Sequence, residues 1–180
     1  VHLSIPKDFW QQLIQAAPPQ PEPFLGEGAQ SPESVIAKGA EFIRGFQRPM
    51  ILAGRGAGGA VQEVVDLAER LGAGIVYTLP LVGSIPDHPL VVGGLGEGGA
   101  EAATELLHQC DGLVKVGATY WPTALTSDRK MVLAIDKHPV KVSQGIPADF
   151  GLVGDAGTML TKLLGKLAAA GKKDAWAEHV

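Results

Sequence analysis

Short apolar runs alternate with amphipathic stretches along most of the chain, which indicates strands alternating with helices. The runs that predict strands are 50–53, 74–77, 90–92, 112–116, 131–135 and 150–153. Helical patterns occupy 61–71, 100–108 and 158–169, and another helix is expected to begin at Ser31-Pro32-Glu33 with Ser31 as N-cap. Apolar strands separated by helices are buried on both faces. The pattern therefore predicts an α/β, open, doubly wound fold with a six-stranded, mostly parallel, Rossmann-like sheet and helices on both faces.

The segments outside this alternation suggest a piece of a larger protein. Residues 1–14 read as a strand followed by a short helix at 8–14, which we interpret as the C-terminal remnant of an upstream domain. Residues 15–30 contain four closely spaced prolines and predict an extended linker. The Rossmann-like domain is expected to cover 31–170, and 171–180 to begin a linker to a third domain.

Composition excludes several classes of function. The net charge is −4 and basic residues form no stripe, so we expect no nucleic-acid partner, and no apolar run is long enough for a membrane span. The single cysteine, Cys110, favours a reducing compartment, and we expect a cytoplasmic protein. The five histidines show no metal-ligand spacing, and no nucleophile, base or carboxylate pair forms a catalytic constellation. We therefore predict neither catalytic nor metal-binding residues.

A glycine-rich turn follows the first strand of the predicted domain. Gly54, Gly56 and Gly59 have the spacing G-x-G-x-x-G between a strand and a helix, where backbone N–H groups can meet a phosphate. The acid that would bind the ribose of NAD is missing, because the second strand ends at Thr78. NAD or NADP is therefore disfavoured, which leaves another phosphate-bearing ligand or a tight turn for close packing. Under the ligand interpretation, Gly56→Val would abolish binding with little loss of fold.

Ligands of parallel sheets bind beyond the carboxyl ends of the strands, so the residues there are the site candidates. Asp136 could accept from a ribose hydroxyl or form an Asx turn, Asp155 is better explained as an N-cap, and Arg55 could meet a phosphate or be solvated. The candidate cofactor-binding residues are Gly54, Arg55, Gly56, Gly59, Thr78, Gly94, Gly96, Gly117, Tyr120, Asp136 and Asp155.

Several segments, in order, resemble thiamine-diphosphate-dependent enzymes of the acetolactate synthase and pyruvate oxidase group. Residues 1–8 resemble the end of the pyrimidine-binding domain of that family. The segments that resemble its middle domain are Arg48 to Ala57, Ile85 to Leu90 with Gly93 to Gly96, Cys110 to Gly117, Ile135 to Pro139 and Gly154-Asp155-Ala156. The resemblance implies a six-stranded Rossmann-like middle domain of the DHS-like FAD/NAD-binding type.

The resemblance also implies where the chemistry of the parent enzyme lies. Thiamine diphosphate and Mg²⁺ would be held by the other two domains, which would be the partners of this one in a homo-oligomeric enzyme. This chain would then be a fragment without activity on pyruvate, and its groove would hold FAD or another ADP-containing ligand. Ala118-Thr119 departs from the Ala-Arg typical of acetolactate synthases, whereas Tyr120 and Pro122 are closer to pyruvate oxidase. The alternative is a structural spacer with no bound nucleotide.

Overall fold

The computed structural model describes residues 4–13, 15, 28–122, 125, 130–167 and 174–180. Its strands are β1 (Pro49–Ala53), β2 (Gly74–Tyr77), β3 (Val91–Gly94), β4 (Gly112–Val116), β5 (Met131–Asp136) and β6 (Phe150–Val153). They form one sheet in the order β3-β2-β1-β4-β5-β6, and each neighbouring pair is parallel. The predicted fold class is confirmed, with an all-parallel sheet in place of a mostly parallel one.

Helices cover both faces of this sheet. The described helices are α1 (Glu33–Arg44), α2 (Val61–Leu71), α3 (Glu101–Gln109), α4 (Ala156–Lys166) and the short α5 (Asp174–Ala177). Three of them, α1, α2 and α4, pack on one face around Ile51, Val114 and Leu133. The other face is covered by α3, by Trp176 of α5, and by buried side chains from connecting segments, among them Leu125 and Ile146.

The amphipathic pattern of α2 shows how sequence produces these layers. Val64, Leu67, Ala68 and Leu71 repeat at three- and four-residue spacing and are all buried. The helix ends at Gly72, whose φ of 67° is a left-handed conformation that glycine adopts without steric cost. Burial of this stripe, rather than helix propensity alone, stabilises the helix.

The last described segment packs at the amino ends of the strands, beside the start of β1. Trp176 is 7% exposed and its Nε1 donates a hydrogen bond of 2.8 Å to the Pro49 carbonyl. Val180 packs beside Met50 and Gly74. Residues 174–180 thus contribute an aromatic anchor to the second face of the sheet.

Two predicted boundaries are wrong in informative ways. Ser31 does not cap α1, because its Oγ accepts from Val153 N at 2.8 Å and the helix begins after Pro32. The third strand is Val91–Gly94 rather than 90–92, with a register shift that leaves Val92 without a partner in β2. Gly93 has φ 142°, a conformation that favours glycine, so the bulge depends on a residue that the apolar pattern did not include.

The predictions for the chain ends are only partly within the described residues. The helix expected at 8–14 is a 3-10 turn at Lys7–Gln11, and Ser4 and Ile5 belong to no strand. Residues 1–3 of the predicted first strand, most of the proline-rich linker 15–30, and residues 168–169 of the predicted last helix lie outside the described part of the chain. None of the described helices combines the length and apolar character that a bilayer crossing requires.

Candidate functional site

A cavity of about 720 Å³ lies at the carboxyl edge of the sheet. It is bounded by residues that follow all six strands, as expected for a doubly wound sheet, and its volume is in the range of small-molecule sites. The lining residues are Arg55, Gly56, Thr78, Leu79, Pro80, Leu95, Gly96, Glu97, Gly117, Ala118, Thr119, Tyr120, Asp136, Lys137, His138, Lys141, Gly154, Asp155 and Ala156.

Most of the candidate residues from the sequence meet at this cavity. Those that line it are Arg55, Gly56, Thr78, Gly96, Gly117, Tyr120, Asp136 and Asp155. Three candidates lie elsewhere. Gly54 is buried against Gly117, Gly59 is exposed with no atom within 4 Å of where a Cβ would be, and Gly94 is the last residue of β3 beside the Tyr77 ring.

Two glycines after β1, Gly54 and Gly56, pack against the loop that follows β4. A Cβ at Gly54 would overlap the Gly117 carbonyl, and one at Gly56 would lie 2.8 Å from Gly117 Cα. The β1 and β4 loops therefore touch through backbone atoms. The expectation that Gly56→Val would spare the fold is wrong, because the added side chain would separate these loops.

Three backbone donors of the same loop already make hydrogen bonds within the protein. Gly56 N donates to Gly117 O at 3.0 Å, Ala57 N to Gly54 O at 2.8 Å, and Gly58 N to Arg55 O at 3.1 Å. These three N–H groups are not directed at a ligand. Arg55 and Gly56 of this loop line the cavity, and α2 begins after Ala60, which offers no side-chain hydrogen bond to the helix.

Two carboxylates in the cavity wall also accept hydrogen bonds from nearby backbone, one in a turn and one at the start of a helix. Asp136 Oδ1 accepts from His138 N at 2.8 Å, which is the Asx turn foreseen as one of its two roles. Asp155 Oδ2 accepts from Thr158 N at 3.1 Å, so its role as N-cap of α4 is confirmed. Because a carboxylate can accept several hydrogen bonds, these contacts leave Asp136 able to meet a ligand hydroxyl.

Tyr120 forms the wall between the β3 and β4 loops. Gly96 has φ 110°, a conformation that favours glycine, and a Cβ there would be 2.9 Å from Tyr120 Oη. Tyr120 is 46% exposed. Its ring thus presents an aromatic surface at the cavity while it packs on the backbone of the neighbouring loop.

Sequence reasoning missed the basic residues that follow Asp136. Lys137, His138 and Lys141 line the cavity and belong to the connection that leads from β5 through a 3-10 turn at Pro139–Lys141. The sequence did contain an indication of these residues. The Asx turn expected at Asp136 keeps the residues that follow it close to the carboxyl end of β5. With Arg55 they balance the carboxylates of Glu97, Asp136 and Asp155.

A buried lysine near the cavity was also missed. Lys115 lies in β4, is 2% exposed, and donates from Nζ to Gln144 O at 2.6 Å. Burial lowers its pKa from 10.5 to about 8, and the negative charge of Asp136 partly opposes that shift. Within the described ranges, no cluster of three or more His, Cys, Asp or Glu side chains is arranged to hold a metal ion.

Comparison with known proteins gives a consistent match. The family model for the central domain of thiamine pyrophosphate enzymes matches residues 36–163. A protein assigned as the acetolactate synthase large subunit of Methanocaldococcus jannaschii is 32% identical over 196 residues, covering 100% of this chain and 33% of its own length. Sulfoacetaldehyde acetyltransferase of Castellaniella defragrans is 33% identical, covering 78% of this chain and 27% of its own.

Solved structures give the same result. An enzyme of Mycobacterium smegmatis assigned as thiamin diphosphate-dependent superposes with a TM-score of 0.61 at 29% identity, over 79% of this chain and 29% of the other. The chain therefore spans about a third of the length of the relatives that it matches.

Proposed function

Since the chain belongs to the family of thiamine pyrophosphate enzyme central domains, we propose that its cavity binds the ADP portion of FAD or of another ADP-bearing ligand. The observation that carries the proposal is the cavity of about 720 Å³, which brings Arg55, Asp136 and Tyr120 together from three different strand ends. A cation, a hydroxyl acceptor and an aromatic surface are the groups that recognise a phosphate, a ribose and a ring.

The residues that line the cavity suit such a ligand, but not mainly through the backbone N–H groups of the Gly54–Gly59 loop, as the sequence predicted. The Arg55 guanidinium would be the main partner of the phosphates, because the amides of Gly56, Ala57 and Gly58 donate within the protein. Asp136 would accept from a ribose hydroxyl while keeping the hydrogen bond from His138 N. Tyr120 would lie against a ring, with Leu79 and Leu95 as apolar neighbours on the cavity wall. When bound, FAD would supply redox chemistry.

The proposal for the whole protein is a 2-keto-acid enzyme similar to acetolactate synthase or pyruvate oxidase. Thiamine diphosphate and Mg²⁺ would bind to parts outside these 180 residues, and the full enzyme would be a cytoplasmic homo-oligomer. The 180-residue chain with thiamine diphosphate and Mg²⁺ would then release no carbon dioxide from pyruvate. Measurable decarboxylation by the purified chain would contradict the proposal that thiamine diphosphate and Mg²⁺ bind outside these 180 residues.

Calorimetric titration with ADP and FAD tests the cavity. We expect micromolar dissociation constants, equivalent to about 8 kcal/mol. Asp136→Asn keeps the acceptor for His138 N but removes the charge, and should weaken ADP binding about ten-fold. Arg55→Gln should weaken it by a similar factor of about ten by removing the phosphate partner. Arg70→Gln on α2, away from the cavity lining, is the matched control and should bind as the wild type does.

The alternative is a structural spacer between the other two domains. It is favoured by one observation, that Gly54 and Gly56 are explained by contact with Gly117 without any ligand. Absence of binding heat with millimolar FAD, ADP and coenzyme A would establish the spacer. Binding of NADH instead would show that the inference from Thr78 was wrong.

A further inference from the structure

Lys115 occupies a position where a lysine is unexpected. It is the penultimate residue of β4, in register with Leu52 of β1 and Ala134 of β5, both of them fully buried. Its side chain is 2% exposed, and lysine is seldom buried to this extent without a specific partner. The contacts proposed for the nucleotide do not use it, so its burial needs another explanation.

Its partners are backbone carbonyls of the connection between β5 and β6, residues 137–149. Nζ donates to Gln144 O at 2.6 Å and lies 3.5 Å from Ile146 O. Hydrogen bonds from an ammonium group are stronger than those between neutral groups. The lysine therefore fixes the second half of a connection whose first half supplies Lys137, His138 and Lys141 to the cavity wall.

The segment that Lys115 binds, residues 144–146, is also in contact with a residue that lines the cavity. Gly145 has φ 85°, and a Cβ there would overlap the Thr119 carbonyl oxygen. Thr119 follows β4 and lines the cavity. The segment that Lys115 Nζ binds is therefore in contact with a second wall of the cavity, and Asp136 interacts favourably with the charged ammonium.

We propose that Lys115 is a positioning residue of the cavity: by anchoring residues 144–146, its ammonium group holds the β5–β6 connection and Asp136 in the arrangement that receives the nucleotide. The nucleotide part of this inference rests on the proposed function, whereas the anchoring part does not. An uncharged side chain of the same length would fill the space and leave the two carbonyls without their cationic donor.

Hydrogen exchange of the 180-residue chain tests the anchor without any ligand. Lys115→Met keeps the stem of the side chain and removes the donor, and Lys115→Arg keeps both charge and donors. In Lys115→Met we expect amide exchange in residues 137–149 to accelerate about ten-fold while the α1–α4 interface keeps its protection. Lys115→Arg should restore at least part of the protection, and Lys38→Met, an exposed control on α1, should change nothing.

ADP titration of the same variants tests the positioning role. Lys115→Met should weaken ADP binding about ten-fold, and Lys115→Arg should recover part of that loss. Unchanged exchange in Lys115→Met would overturn the inference, whatever the binding result. Faster exchange with wild-type ADP affinity would overturn the positioning role. If the wild type binds neither ADP nor FAD, the proposed function fails, and the exchange measurement alone still decides whether Lys115 is the anchor.

Discussion

Glycines serve different purposes at the two edges of the sheet. At the amino edge, side chains occupy the space that a glycine leaves: the Phe46 ring lies over Gly112, and Met50 Sδ lies 2.6 Å from where a Cβ of Gly74 would be. At the carboxyl edge, backbone meets backbone at Gly56 and Gly117, whereas the Tyr120 side chain lies beside Gly96, and the cavity of about 720 Å³ remains between the loops. A glycine at a strand end therefore indicates close approach but does not identify what approaches.

The largest loss of stability should come from removing the Trp176 side chain, which packs at the amino edge of the sheet. Trp176→Ala removes a buried ring and the donor to the Pro49 carbonyl, and should lower the free energy of unfolding by about 3–5 kcal/mol. Trp176→Phe, which keeps most of the apolar surface, should cost only about 1 kcal/mol. Urea denaturation measures both. A loss below 1 kcal/mol in Trp176→Ala would favour the prediction that residues 171–180 begin a linker.

A smaller effect is expected where the two loops meet at the carboxyl edge. Gly56→Ala places a Cβ 2.8 Å from Gly117 Cα and should destabilise the fold by about 1–3 kcal/mol. Gly59→Ala, three residues further along the same loop, meets no heavy atom within 4 Å and is the control. Its unfolding free energy should stay within about 0.5 kcal/mol of the wild type. Equal losses in the two variants would show that the loop contact is not what the glycine spacing preserves.

The smallest effect is a pH dependence that belongs to Lys115 alone. Its pKa is about 8 in the folded chain and about 10.4 when unfolded, so between these values the folded state binds fewer protons. Stability therefore rises with pH in this window, and the gain is lost as pH falls from about 10.4 to about 8. From pH 8 to 10 the wild type should gain about 1–2 kcal/mol over Lys115→Met, less than the full shift implies because neither state completes its titration within this interval.

The pH comparison is made between variants because other groups titrate in the same range. Tyrosines and surface lysines contribute equally to the wild type and to Lys115→Met, so their effect cancels in the difference. Denaturant titrations at pH 7, 8, 9 and 10 would measure it. A difference that is constant with pH would show that Lys115 is no harder to charge in the fold than in the unfolded chain.

The strands were predictable because burial on both faces leaves an unmistakable apolar run. Five of the six predicted strands match the structure to within one residue at each end, and the exception is β3, where Gly93 and Gly94 carry no apolar signal. The cap at Ser31 failed for a different reason. Its hydroxyl found a partner in Val153, 122 residues away, which local sequence cannot show.

The site was predictable in position but not in detail. Parallel topology alone places Arg55, Thr78 and Asp136 at one edge, and all three line the cavity. The burial of Lys115 could not be foreseen, since its acceptors are carbonyls of a connection whose path depends on Gly145. Trp176 was missed for the same reason, because its partner belongs to the first strand.

The strand order also limits when the two halves of the sheet can pair during synthesis. β1 lies between β2, which follows soon after it, and β4, which begins at Gly112. Until Val116 has been synthesised, one edge of β1 has no partner, and exposed strand edges promote association with other chains. Contacts between distant segments also slow folding. During synthesis β4 can therefore pair with β1 only after Val116 has been made, and that pairing joins the two halves of the sheet and brings Gly117 to Gly56.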